Sequence, residues 1–205
     1  HPQGNITRAE VATIFFRLLS DETRAQYENA VNSFTDVPLG AWYYHSVSVM
    51  FEMGIMNGYE DGTFRPDAPI TRGEFAVIAA RFDANGNETG ESFTDVYGYW
   101  GQREISIAAA NGWILGYEDG TFRPEQHITR AEAVTIVNRV LRRVPEMPDD
   151  LLPGMVVWSD NLDPTKWYYL AIQEASNSHD YNRKPNGYEK WTGLAPIRDW
   201  SKTER

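Results

Sequence analysis

A nine-residue run, Gly58-Tyr-Glu-Asp-Gly-Thr-Phe-Arg-Pro66, returns unaltered at Gly116 to Pro124, and Ile70-Thr-Arg-Gly-Glu74 returns as Ile128-Thr-Arg-Ala-Glu132, both 58 positions on. Ile6-Thr-Arg-Ala-Glu10 is a further copy of the second motif, 64 positions earlier. Self-similarity at this period means one supersecondary unit used repeatedly, none of which can bury its apolar face alone. Thr7 and Glu10, Thr71 and Glu74, and Thr129 and Glu132 have capping-box spacing, which satisfies amides left open at a helix start. Apolar residues then follow at helical spacing: Val11, Ile14, Phe15, Leu18 and Leu19; Phe75, Ile78, Ala79 and Phe82; Ala133, Ile136, Val137, Val140 and Leu141. Three such stripes can bury one another.

A second kind of unit lies between these helices. Ser33-Phe-Thr-Asp-Val37 and Ser92-Phe-Thr-Asp-Val96 each precede a Trp, and Trp42 and Trp100 head a helix with core positions at Val47, Met50 and Phe51 or Ile105, Ala108 and Ala109. Gly54 and Gly112 are its C-terminal stops. Asp61-Gly62 and Asp119-Gly120 predict tight turns with Phe64 and Phe122 tucked beneath. Trp158-Ser-Asp160, Trp167, Ile172 and Ala175 make a degraded third copy. We therefore expect one module over 1–205, with a partial unit at 1–32, full units at 33–91 and 92–150, a degenerate unit at 151–180 and a tail at 181–205. The linkers are Asp21 to Asn32, Asp83 to Glu91 and Pro145 to Pro153. His1 to Ile6 takes the register of Arg65 to Ile70, which implies upstream residues completing the first loop. Matching counts of the two helix kinds predict an all-α, mainly helical, pseudo-threefold bundle. The C-terminal Trp helix would close it against the N-terminal capped helix.

Composition narrows the function classes. Nineteen Lys and Arg against 29 Asp and Glu give a net charge of -10, which excludes nucleic acid and anionic membrane as natural partners. There is no cysteine, so neither a disulfide framework nor a Cys-type zinc site is available. No apolar run approaches a membrane span, and residues 1–20 lack a signal-peptide pattern. His1, His45, His127 and His179 are scattered without metal-ligand spacing, and no phosphate loop or nucleophile elbow is present. Asp83, Asn85 and Asn87 open like a calcium loop, but Glu88 and Thr94 stand where Gly and Glu are needed. No catalytic residue, metal or cofactor is assigned. Aromatics make up 13% of the chain, matching either packed repeats or sugar-stacking platforms.

The succession Phe-Thr-Asp-Val, Trp, Gly-Tyr-Glu-Asp-Gly-Thr-Phe-Arg-Pro and Ile-Thr-Arg-Ala-Glu resembles the S-layer homology repeat over roughly residues 1–180. The resemblance implies three tandem repeats in a pseudo-threefold, mostly helical module. Such a module tethers surface proteins noncovalently to secondary polymers of the bacterial cell wall, often pyruvylated, in grooves between repeats. It implies an extracellular, cell-surface location, fusion to a larger surface protein, and an anchoring role for Arg8, Arg72 and Arg130. Each of these arginines opens a helix, where free amides and the dipole favour an anion and a guanidinium could fork onto a carboxylate. The alternative is a solvated Arg, or one paired with the Asp of the repeat. Trp42, Trp100 and Trp167 suit either sugar stacking or core packing. Asp36, Asp95 and Asp160 cap the turn into the Trp helix, or contact ligand or Arg. Gly58 and Gly116 serve a positive φ or close approach of a ligand to the backbone. Glu10, Glu74 and Glu132 are assigned to capping. Two other functions are compatible with the residues: a surface-assembly module that binds no glycan, and a cell-wall glycan hydrolase.

Overall fold

The computed structural model describes residues 1–83 and 93–200; most of the linker at 83–91, with its calcium-like spacing, lies outside the described residues. The chain is mainly helical, and among the described residues no helix is long and apolar enough to cross a membrane. The capped helices are α1 (Arg8–Leu18), α4 (Arg72–Phe82) and α6 (Arg130–Val140), each opened by a complete capping box from Thr7, Thr71 or Thr129. The Trp-unit helices are α3 (Tyr44–Glu52), α5 (Gln102–Ala110) and α7 (Tyr169–Ser176), each starting two residues after its Trp.

Gly54 and Gly112 stop α3 and α5 at φ 68° and 70°. In both, two hydrogen bonds form a Schellman closure: Gly54 N–H to Phe51 O and Ile55 N–H to Met50 O, then Gly112 N–H to Ala109 O and Trp113 N–H to Ala108 O. Phe64 and Phe122 are buried beneath their turns, whose glycines have φ 79° and 78°.

Three short backbone stretches meet at the centre. Ile6 N–H donates to Ile128 O, Ile128 N–H to Ile70 O, and Ile70 N–H to Ile6 O, a closed cycle of 3.4, 3.1 and 3.1 Å. The same relay caps the helices. The first two amides of each capped helix, at Arg8 and Ala9, Arg72 and Gly73, and Arg130 and Ala131, donate to carbonyls of Ala68 and Pro66, Gln126 and Pro124, and Gly4 and Pro2. Each helix start is thus completed by the loop before another capped helix.

The ring closes by a different route from the one expected. Helix α7 packs against α6, as α3 packs on α1 and α5 on α4, and Asn138 donates to Ala171 O. Because α3 already covers α1, closure falls to residues 1–7, and His1 N takes the position against Asp160 that Arg65 N and Arg123 N hold against Asp36 and Asp95.

Other details also depart from the periodicity. The first linker contains a short helix, α2 (Asp21–Gln26). Phe51 and Leu141 are partly exposed, and Ala109 is half-buried. Helix α7 buries Tyr169, Gln173 and Glu174 while Ile172 is half-buried and Ala175 exposed. Its inner face is turned toward a hairpin, without a counterpart among the described residues of the other units, formed by β1 (His179–Arg183) and β2 (Glu189–Leu194). Trp191 of β2 is buried there and donates to Glu174.

Candidate ligand-binding grooves

Two concave surfaces are lined by corresponding positions, except that Ile55 has no counterpart in the second and Ile114, Leu115 and Thr135 replace Met56, Asn57 and Val77 there. The first, of about 300 Å³, is formed by Arg8, the loop Ile55 to Tyr59, Glu74, Val77, Ile78, Arg81 and Trp100. The second, of about 210 Å³, is formed by Arg72, the loop Ile114 to Tyr117, Glu132, Thr135, Ile136, Arg139 and Trp167. Each lies where the loop after one Trp-unit helix faces the next capped helix. Trp42, Trp100 and Trp167 are 57, 61 and 60% exposed, so none is core, and the last two wall the grooves. Trp42 lines neither groove and stands edge-on to Tyr43.

The arginines of the capped helices are less free than an exposed helix start suggests. Arg8 donates through Nε to Phe64 O, through Nη2 to Asn57 O and through Nη1 to Glu74, at 2.8, 2.7 and 2.9 Å. Arg72 repeats this with Phe122 O, Leu115 O and Glu132 at 3.0, 3.4 and 2.8 Å. Both guanidinium groups lie over aromatic faces, Tyr59 and Phe64 or Tyr117 and Phe122. This resolves why a cation stands at the positive end of a helix. Each glutamate caps its own helix with Oε2 and gives Oε1 to the arginine of another. The first amides, offered by the sequence to an anion, are already taken by carbonyls. Arg130 completes the cycle with Glu10 at 2.6 Å, but its side chain is 40% exposed, against 6 and 9% for Arg8 and Arg72. Burial pushes the Glu10 carboxyl up, and the Thr7 amide and Arg130 more than offset it, leaving it below its ordinary value.

Asp36 and Asp95 have a different task from the one the sequence suggested. Asp36 accepts from the Phe64 and Arg65 amides at 2.8 and 2.7 Å, and Asp95 does the same for Phe122 and Arg123. These bonds hold Arg65 and Arg123 at φ 59° and 58°, a region side chains enter at a cost. Gly58 and Gly116 line the grooves but are not at positive φ; the room left by the absent Cβ is filled by Phe34 and Phe93.

Several lining residues escaped the sequence reading. Tyr59 and Tyr117 sat in plain view in the repeated nonapeptide. Arg81 and Arg139 are also 58 positions apart and lie seven residues after the capping glutamates, two turns along the same face. That spacing was the available signal.

Outside the grooves, Glu174, His179 and Glu189 cluster under the hairpin. Arg143 supplies a cation there, 3.1 Å from Glu174 and 2.7 Å from Glu189. Burial lowers the His179 pKa, but its bonds to Glu174 and the Asn177 carbonyl raise it overall; burial raises that of Glu174.

Residues 33–76 and 92–134 each match the S-layer homology domain, so the chain carries at least two repeats of that kind. It is 36% identical over 194 residues to the cellulosome-anchoring protein of Acetivibrio thermocellus, covering 92% of this chain and 42% of that one. It is 34% identical to cell surface glycoprotein 1 of the same organism, over 88% of this chain and 8% of that one. With the surface-layer 125 kDa protein of Lysinibacillus sphaericus it shares 33% identity, over 72% of this chain and 13% of the relative. The chain thus spans less than half the length of these relatives.

Proposed function

We propose that this chain is a noncovalent anchoring module that holds a larger surface protein to the bacterial cell wall by binding a secondary cell-wall polymer, an anionic, pyruvylated glycan. The observation that carries the reading is the duplication of one lining: an exposed Trp, an Arg two turns into the capped helix, a Tyr, and a helix-start Arg fixed at the floor, present in both grooves. An exposed indole offers a face to a sugar ring, and Arg81 or Arg139 offers a fork to a carboxylate. The matched repeats and the names of the relatives support the same class. We further read the partial unit at 1–32 and the degenerate unit at 151–180 as one split repeat. The module then has three repeats about an approximate threefold axis, with the cyclic hydrogen bonds of Ile6, Ile70 and Ile128 in support.

The test is retention on isolated cell-wall sacculi, with and without chemical removal of their secondary polymer. The Trp100→Ala/Trp167→Ala variant removes two exposed side chains, so the fold is expected to remain while affinity falls about tenfold, from roughly 1 kcal/mol or less per lost face. Retention that survives both stripping and the double substitution would turn the reading toward protein assembly on the surface.

A further inference from the structure

The hairpin of the C-terminal unit creates a feature with no counterpart beside the first groove among the described residues. Arg139 near the end of α6, Arg142 just beyond it and Arg183 at the end of β1 line one open concavity of about 620 Å³, together with Asn186, Gly187 and Tyr188. Arg139 also lines the Trp167 groove, so the two concavities adjoin at this residue. Arg183 is held in place by Nη1, which donates to Arg142 O and Gly187 O at 2.9 Å each. Its Nη2 and Nε remain for another acceptor.

The charge pattern is unusual for this chain. Arg8, Arg24, Arg65, Arg72, Arg123, Arg130, Arg143 and Arg198 all have a carboxylate within ion-pair distance. Among the described residues Arg139, Arg142 and Arg183 have none, although the protein as a whole carries a net charge of -10. Arg139 is half-buried, and burial lowers its pKa. Arg142 sits at φ 54°, where a side chain is disfavoured and glycine would be easier. Three like charges gathered in one concavity repel each other unless an anion joins them, and concave walls focus their field outward. In the first groove the position of Arg139 is taken by Arg81, which faces Glu104 at 4.0 Å.

We propose that Arg139, Arg142 and Arg183 form an anion subsite that extends the Trp167 groove and takes a second carboxylate or phosphate along the same polymer chain. This rests on the glycan reading of the groove and makes the two grooves unequal, the second being the one that senses charge beyond the first contact.

The test uses the full chain and defined probes: an oligogalacturonate with a carboxylate on every sugar, a neutral oligosaccharide of equal length, and inorganic pyrophosphate. Arg142→Gly removes one charge while easing the backbone, so its melting temperature should hold or rise, which separates binding from folding. Arg183→Gln retains a side-chain donor for the hairpin carbonyls. For the double variant we expect oligogalacturonate affinity to fall roughly tenfold with a shallower salt dependence, as for lost charge-assisted forks, and neutral binding to stay unchanged. Competition by pyrophosphate stronger than by monomeric galacturonate would mark phosphate as the preferred group, and the reverse would mark carboxylate. Oligogalacturonate binding by the double variant within about twofold of the parent would overturn the subsite, a difference too small for two lost charge-assisted forks. If the Trp100→Ala/Trp167→Ala variant were nonetheless released from sacculi, the groove reading would stand without the subsite.

Discussion

The junctions at Arg8 and Arg72 and the junction at Arg130 use one motif with unequal results. In all three, the helix-start arginine reaches the capping glutamate of another helix. In the first two, a nonapeptide loop and the residue before it fold over the guanidinium, each giving it one carbonyl and the loop an aromatic face, and remove it from water. At the third, no such loop is present after α7, the hairpin stands there instead, and Arg130 keeps 40% of its side chain in solvent. The second arginine differs too. Arg81 and Arg139 line open grooves, whereas the corresponding Arg17 lies under the ring of Trp200, 5.5 Å away, in a tail that also pairs Arg198 with Asp21. A repeated residue therefore has no fixed role; the neighbouring loop decides whether it is a floor, a wall or a surface group.

That contrast is open to direct test by mutation. The largest expected effect is from Glu132→Ala, which strands the buried Arg72 and should cost about 3–5 kcal/mol in urea unfolding. Glu10→Gln, which keeps a side-chain acceptor for the cap while weakening the exposed Arg130 pair, should cost about 1 kcal/mol or less. Equal losses would show that solvent access at Arg130 has no energetic meaning. Next comes Gly58→Ala. The new Cβ would lie 2.2 Å from Phe34 Cε1 and 2.7 Å from Thr63 O, so the ring must move, at about 1–3 kcal/mol by thermal melting. Gly116→Ala should match it through Phe93 and Thr121, while at the third junction the echoed Gly187 has nothing within 4 Å of such a Cβ and sits instead at φ 89°.

The smallest effect is one of pH. Asp61 and Asp119 are held at about 2 by Thr63 or Thr121 and by Arg65 or Arg123, so the repeat loops keep these bonds through neutral and mildly acidic solution. The hairpin behaves oppositely. His179 has a folded pKa above its ordinary 6.5, so its contribution is complete below that value and fades as pH rises through the folded pKa. Glu174, raised by burial, acts in the same direction, among the charges of Arg143 and Glu189. Amide exchange in 189–194, corrected for intrinsic rates, should increase a few-fold on going from mildly acidic to alkaline solution and stay flat in 59–64. A flat profile in His179→Gln would tie the effect to the imidazole.

The helix starts and stops were legible because their causes are local. A Thr and a Glu three residues apart, or a glycine after an apolar stripe, need no distant partner to act. The arginines were legible as a repeated position but not as buried, since the carbonyls that enclose Arg8 come from residues 49 and 56 positions away. Gly73 illustrates the same limit. It replaces the alanine of Ala9 and Ala131, and only the fold shows that a Cβ there would meet Tyr99 Oη at 2.5 Å. The hairpin was hidden by its resemblance to the repeat: Asn186-Gly-Tyr-Glu189 echoes Asn57-Gly-Tyr-Glu60, yet Glu189 points inward to Arg143. Closure was misplaced because counting helices says how many must pair, not which faces are already filled.

The cycle joining Ile6, Ile70 and Ile128 also imposes an order of assembly. The Ile6 carbonyl finds its donor once residue 70 is in place, but the Ile6 amide has no partner until residue 128 arrives. The capped helix that follows Ile6 is therefore made before residue 128 but finished only after it. Such long-range closure raises contact order and slows folding. A truncation that ends before Ile128 would leave not one missing unit but an unsatisfied edge on each of the two that remain.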